Sequence, residues 1–211
     1  MTKAAGQRTE EWLTRAIDIV GALAGLIALG PLLIVIAVAV LVTSQGVIVF
    51  GHRRIGRDGR MFTCYKFRSM VVDAEQRLEE LLAHDVTARA EWMRDHKLRN
   101  DPRITPIGTF LRKSSLDELP QLFNVLIGNM SLVGPRPIVV GEIPRYGRYL
   151  QSYASVKPGL TGLWQISGRS NTTYRRRVAM DVAYARSKSV RLDLRILVAT
   201  VPAVIGARGS Y

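Results

Sequence analysis

IVGALAGLIALGPLLIVIAVAVLV, from Ile19 to Val42, contains no charged side chain. As a helix rising about 1.5 Å per residue, it is long enough to cross a hydrocarbon core of about 30 Å. A buried core helix is the plainer alternative, but such helices rarely run this far without one polar face. A cleaved signal peptide fits poorly, because the run is too long and no small-residue cleavage site follows it. The reading is a membrane-inserted segment. Arg8 and Arg15 precede it, and Arg53, Arg54 and Arg57 follow it, so cations favour the cytoplasmic side at both ends. A simple spanning helix satisfies only one of them. Gly30 and Pro31 lie near the middle, where proline removes a hydrogen bond and bends a helix. Together these features predict a helix-break-helix hairpin over residues 1–46 that enters and leaves one leaflet. Residues 47–211 then form one unit at the cytoplasmic surface.

The 211 residues carry a formal charge of +13, which favours an anionic partner: nucleic acid, a phosphorylated substrate or acidic lipid headgroups. One cysteine, Cys64, excludes an internal disulfide framework and reads as a packed side chain between Phe62 and Tyr65. The three histidines, His52, His84 and His96, are too dispersed for a histidine-rich metal site or a Ser-His-Asp set. Phosphate-loop and dinucleotide glycine fingerprints do not occur. Basic residues without interleaved aromatics argue against single-stranded nucleic acid.

Val47 to Met70 reads as a hairpin turning at Asp58-Gly59, with Lys66 and Arg68 on one face of the second strand. Two cations so spaced could straddle a phosphate, although charged strand faces are more often merely solvated. Asp73 to Leu98 predicts one helix and a second short one. Pro102 and Pro106 make the following segment an ordered connector, and a helix is expected from about Leu119 to Ile127. Pro135 and Pro137 hold Arg136 in a rigid extended loop, which lowers the entropy lost when its guanidinium binds an anion. Val156 to Asn171 is a glycine-punctuated loop around Trp164. A basic helix follows, and a core or interfacial helix closes the chain.

Asp117 and Glu118 stand side by side in this basic context. Ser115-x-x-Glu118 matches a capping box, and acidic residues suit a first helical turn. Pro120 weakens that structural reading, because it has no N–H to give a capping carboxylate and it restricts Leu119. In either register at least one carboxylate is incompletely used by the backbone, and in a basic neighbourhood it is available as nucleophile or metal ligand. Carboxylates beside Arg112, Arg136, Lys66 and Arg68 match what phosphoryl transfer needs, with Mg²⁺ taking one or two carboxylates plus substrate phosphates.

The segments YKFRSM, NDPRITPIGTFLRKSSLDELPQLFNVLIGNMSLVGPRP, KPGLTGLWQISGRS and RLDLRILVATVPAV resemble the bacterial monotopic sugar transferases, the polyprenyl-phosphate hexose-1-phosphate transferases. The resemblance covers most of the chain. It implies a mainly helical α+β fold, with a proline-broken re-entrant helix, a small β-hairpin and interfacial helices around a membrane-surface site. The implied location is the cytoplasmic face of the bacterial inner membrane.

The implied reaction is ping-pong. Asp117 attacks the β-phosphate of a UDP-sugar and releases UMP, and polyprenyl (undecaprenyl) phosphate then takes the phosphosugar. Glu118 matches the dyad partner in Mg²⁺ binding or proton transfer. Arg112 and Arg136 match the family's phosphate- and nucleotide-contacting arginines, and Lys66 and Arg68 its basic pair. Many relatives carry extra N-terminal membrane helices and a soluble domain; a minimal form or an excised catalytic region is expected here, and Met1 with a short polar leader favours the former. A non-enzymatic basic module binding acidic lipid or nucleic acid is the competing reading, and a sugar transfer releasing UDP is a third. The sugar and the oligomeric state are not legible.

Overall fold

The computed structural model describes residues 2–95, 98, 100–167 and 173–205. Gly168–Asn171 of the expected Trp164 loop, His96, and Gly206 and Ala207 of the expected final helix lie outside the described residues. The chain is a mainly helical α+β fold with two small sheets. Helix α1 (Thr2–Thr43) leads into an antiparallel hairpin of β1 (Val49–Ile55) and β2 (Met61–Phe67). Asp58, at φ 59°, and Gly59, at φ 73°, take the left-handed conformations that the turn requires.

Helices α2 (Ala74–His84), α3 (Val86–Asp95) and α4 (Pro106–Ser114) follow, then α5 (Gln121–Ile127) and β3 (Ser131–Val133). After α6 (Ile143–Tyr146) and α7 (Leu150–Ala154), β4 (Gly159–Thr161) pairs in parallel with β3. Helices α8 (Leu163–Ile166), α9 (Tyr174–Ser187) and α10 (Val190–Ile205) complete the described chain.

Helix α1 is continuous through Pro31. The expected interruption at Gly30-Pro31 is therefore not a break in secondary structure. Proline removes one N–H from a long ladder, and the bonds on either side keep the helix in phase. Thr14, Asp18 and Ala22 before the proline, and Ile36 and Val40 after it, are buried on one face. The other face is apolar and open: Ile27 and Val42 are each 78% exposed, with Val20, Leu23, Ile34, Val38 and Leu41 beside them. A helix apolar all round and covered on one side only is suited to lipid rather than water.

Polar contacts fix α1 near both ends. Arg15 donates from Nη1 to the Val125 carbonyl and from Nη2 to that of Leu126, each at 2.6 Å. Asp18 Oδ1 accepts from Ser131 Oγ and the Leu132 N–H, both at 2.8 Å. Beyond the C-terminal end, Arg68 Nη2 donates to the Ser44 carbonyl at 2.8 Å and to its hydroxyl at 3.0 Å. One apolar cluster joins Ala22 of α1 to Phe62, Leu122, Val125 and Ile196; another joins Ile36 and Val40 to Phe67 and Leu111.

Two expectations are corrected around the carboxylates. The expected connector holds only as far as Thr105, and from Pro106 to Ser114 the chain is α4. Thr105 is its N-cap, accepting from the Gly108 N–H at 3.0 Å, and Pro106 sits in the first turn, where its missing N–H costs nothing. Gly108 lets α4 close on the strand exit, since a Cβ there would stand 2.0 Å from the Ser69 carbonyl oxygen. Helix α5 begins at Gln121 rather than Leu119, with Pro120 as its N-cap residue. Leu116–Glu118 form a separate short 3₁₀ turn.

Candidate active site

The capping box does not form. Ser115 is in the left-handed region at φ 60°, ending α4 with its N–H on the Leu111 and Arg112 carbonyls, and its hydroxyl caps nothing. Neither carboxylate of the short turn is drawn into a capping box, although Asp117 keeps a hydrogen bond to its own backbone. Asp117 is buried, its side chain 10% exposed, while that of Glu118 is 33% exposed.

The hairpin brings the cation. Lys66 Nζ donates to Glu118 Oε1 at 2.6 Å and stands 4.0 Å from Asp117 Oδ2. Its strand is fastened to α5 by Asn124, fully buried, which accepts from the Tyr65 N–H at 3.0 Å and donates to the Thr63 carbonyl at 2.7 Å. That two-point clamp makes Asn124 a positioning residue for Lys66.

Burial drives the Asp117 carboxyl up to about 6, the Glu118 charge adds to the rise, and Lys66 and Arg112 oppose it. Burial acts upward on Glu118 too, but Lys66, Arg136 and Arg54 together hold it below its usual range. The adjacent acids thus divide roles, one ionised throughout the neutral range and one poised to ionise just below it. Asp181 is also pushed up to about 6 by burial, but it is 1% exposed and accepts from the Tyr146 hydroxyl at 2.6 Å, which leaves it no access to a substrate.

Of the cations expected from the sequence, Lys66 meets both carboxylates, and Arg112 and Arg136 lie close enough to act on one each. Arg112 is oriented by Ser69, its Nε donating to Ser69 Oγ at 2.9 Å, and burial holds it below its usual range. Arg136 projects from a loop pinned on both sides: the Gly134 N–H donates to Thr161, the Gly159 N–H to Pro135 and the Ile55 N–H to Ile138, at 2.8 to 2.9 Å. Its guanidinium lies 5.7 Å from the Trp164 ring centroid. Arg68 is elsewhere, on Ser44. Strand alternation put Lys66 and Arg68 on one face, but Arg68 lies beyond the end of β2, where it meets the exit of α1. Cys64 is buried, and that burial pushes its thiol up, as suits a packed side chain.

Sequence reasoning missed Arg54, Glu142 and Arg177. Arg54 pairs across the hairpin with Phe62 and so shares a face with Cys64 and Lys66; the hairpin register was the signal that could have found it. It donates to the Pro137 carbonyl at 3.3 Å and lies 3.9 Å from Glu142, fixing the wall beside Glu118. Arg177 Nη2 is 3.4 Å from Glu142 Oε1, and its guanidinium lies 5.3 Å from the Trp164 centroid. Trp164 is thus flanked by two arginines from distant segments, a juxtaposition that no local pattern announces. Arrayed cations around one poised and one ionised carboxylate can bind phosphates and present an oxygen nucleophile.

A family model described as bacterial sugar transferase matches residues 9–207. The chain belongs to the bacterial sugar transferase family. Among its relatives in the family, undecaprenyl-phosphate galactose phosphotransferase of Salmonella typhimurium is 50% identical over 97% of this chain and 43% of its own length. The exopolysaccharide production protein ExoY of Sinorhizobium fredii is 46% identical over 93% of this chain and 87% of its own. A UDP-glucose:undecaprenyl-phosphate glucose-1-phosphate transferase of Xanthomonas campestris is 41% identical over 92% of this chain and 39% of its own. The chain therefore spans less than half of the Salmonella and Xanthomonas family members and most of ExoY.

Proposed function

We propose that this chain transfers a sugar-1-phosphate from a UDP-sugar to polyprenyl (undecaprenyl) phosphate, the first membrane step of exopolysaccharide or glycoconjugate assembly. The observation that carries the reading is the buried Asp117, clear of capping duty and 4.0 Å from Lys66, beside an ionised Glu118. The names of the relatives support the same substrates.

A carboxylate oxygen of Asp117 attacks the phosphorus that bears the sugar. The bond from that phosphorus to the bridging oxygen breaks, its electron pair leaves with UMP, and an aspartyl-phosphosugar remains. A phosphate oxygen of the polyprenyl acceptor then attacks the same phosphorus. The acyl phosphate bond breaks, Asp117 is restored as carboxylate and the product is a polyprenyl-diphosphate sugar. Lys66 and Arg112 neutralise charge near the transferring group, and Arg136 and Arg54 hold the remaining phosphate oxygens.

Among the described residues no cluster of three or more His, Cys, Asp or Glu side chains forms. Asp117 and Glu118 nevertheless offer adjacent hard oxygens that suit Mg²⁺ completed by substrate phosphates, and the ion would supply further charge neutralisation there.

Membrane placement follows from α1. A straight helix from Arg15 to Ser44 is roughly 40 Å long, yet it contacts one body at both ends. A segment that crossed the bilayer would leave that body at one end, so the contacts at Arg15, Asp18 and Ser44 support a helix kept on one side of the bilayer, and the cations near both ends favour the cytoplasmic side. Residues 1–46 then serve as the anchor and residues 47–211 as the catalytic unit.

The deciding experiment measures UMP release from a panel of UDP-sugars with Mg²⁺ and polyprenyl phosphate. Asp117→Asn loses at least about 10⁴-fold in turnover and traps no labelled phosphosugar. Wild-type turnover in that variant sinks the nucleophile assignment, and UDP in place of UMP sinks the reaction.

A further inference from the structure

We propose that the basic cavity beside the N-terminal part of α1 binds the phosphate of an anionic phospholipid headgroup, at a site separate from Asp117 and Glu118. The cavity holds about 360 Å³, within the range of small-ligand sites. Arg8, Arg15, Arg57, Lys157 and Lys188 line it against only Glu11 and Asp18.

Both carboxylates are already engaged. Glu11 pairs with Arg57 at 3.3 Å, and Asp18 accepts from Ser131 and Leu132. Arg15 is spent on the α5 carbonyls. Among the described residues Arg8, Lys157 and Lys188 have no ion-pair partner within 4 Å; Asp18 acts on Lys157 and Asp193 on Lys188 from farther off, and the cations lining the cavity still outnumber its two acids. Burial and the neighbouring Arg15 hold the Lys157 ammonium below its usual range, a crowding that an anion relieves.

Depth selects a lipid over a free phosphate. The cavity lies along residues 8–18 of α1, immediately before the apolar run begins at Ile19. Trp12 lines it while 76% exposed, and Leu13 beside it is 50% exposed. An exposed tryptophan at that level belongs at the membrane–water boundary, where lipid phosphates lie. The reacting centre is at the other end of α5: Arg15 holds the C-terminal carbonyls, and Asp117 and Glu118 precede the N-terminus, roughly 10 Å away along the axis. The inference rests on the reading that the open face of α1 lies in lipid.

The test titrates the full chain in neutral detergent with brominated phosphatidylglycerol or brominated phosphatidylcholine. The Trp12 signal is the fluorescence quenching lost in Trp12→Phe. Phosphatidylglycerol is expected to quench at much lower concentration than phosphatidylcholine. Lys157→Gln with Lys188→Gln weakens the phosphatidylglycerol response roughly 25-fold, about fivefold per charge, while UMP release in detergent stays within about twofold of wild type. The control pair Arg60→Gln with Arg186→Gln, exposed cations outside the cavity, leaves the response unchanged. An equal loss in the control pair overturns the site in favour of diffuse surface charge. Displacement of the lipid by inorganic phosphate or UDP at similar concentration overturns the lipid assignment. Equal quenching by both lipids overturns the headgroup preference alone, and quenching by neither overturns this inference together with the membrane reading. Failure of the transferase reading is seen separately, as absent UMP release with lipid quenching intact.

Discussion

Asp101 and Asp117 are both aspartates in low-exposure settings, and Arg112 acts on each. Their fates differ. Arg103 donates to both oxygens of Asp101, from Nε at 2.7 Å and Nη2 at 2.6 Å, and adds its backbone N–H at 3.1 Å. Burial acts upward on Asp101, but those bonds from Arg103 outweigh it and hold the carboxyl below its usual range. Asp117 has Lys66 at 4.0 Å instead, and burial prevails. A carboxylate saturated by a bidentate arginine holds a fold together, whereas one buried with its partner a step away keeps its lone pairs for chemistry.

Paired amide substitutions break that comparison most directly. Asp117→Asn, already expected to abolish turnover, leaves the melting temperature at neutral pH unchanged or higher. The unfolded Asp117 loses its proton near 3.8 and the folded one near 6. Wild-type stability from this group therefore declines as pH rises through that window, and the amide removes the decline. A lower melting temperature in Asp117→Asn contradicts this assignment.

Asp101→Asn does the reverse. It strands a buried guanidinium, which costs about 3–5 kcal/mol, while turnover per folded molecule persists. The Asp101 contribution is complete above the unfolded value and is lost as pH falls through the depressed folded one, so wild type and variant converge in acid. Denaturant melts across pH measure both trends.

Lys66→Met has a smaller effect that sharpens the contrast. Removing the cation that lowers both acids moves the acid limb of kcat/KM upward from about 6. Activity at neutral pH falls on the order of 10²-fold, with partial recovery at higher pH. A limb that stays in place makes Lys66 a mere surface partner of Glu118. Smallest of all is Ser115→Ala, expected within about 0.5 kcal/mol of wild type, because that hydroxyl caps no helix. A loss near 1 kcal/mol or more in a thermal melt restores the capping-box reading.

Features governed by neighbouring residues were legible. The apolar run, the Asp58-Gly59 turn, the Pro135–Pro137 loop and the adjacent carboxylates all follow from local composition and backbone restriction. The same local logic misread Pro106 as a breaker, because a proline that stops one helix and one that starts another look alike until Thr105 caps the turn. It also grouped Arg68 with Lys66, since strand parity says nothing about where a residue beyond the strand end turns.

The sequence by itself determined which chemistry is on hand: a long apolar helix, a basic surplus and two carboxylates beside a proline that deprives the backbone of a donor. Only the tertiary structure decided which acid is poised. Desolvation of Asp117 comes with α4 and β2 packing on its turn, Lys66 arrives across 52 residues to meet Glu118, and Arg54, Arg136 and Arg177 converge from three separate segments. Burial and charge pairing are sums over neighbours in space, and no window along the chain contains them.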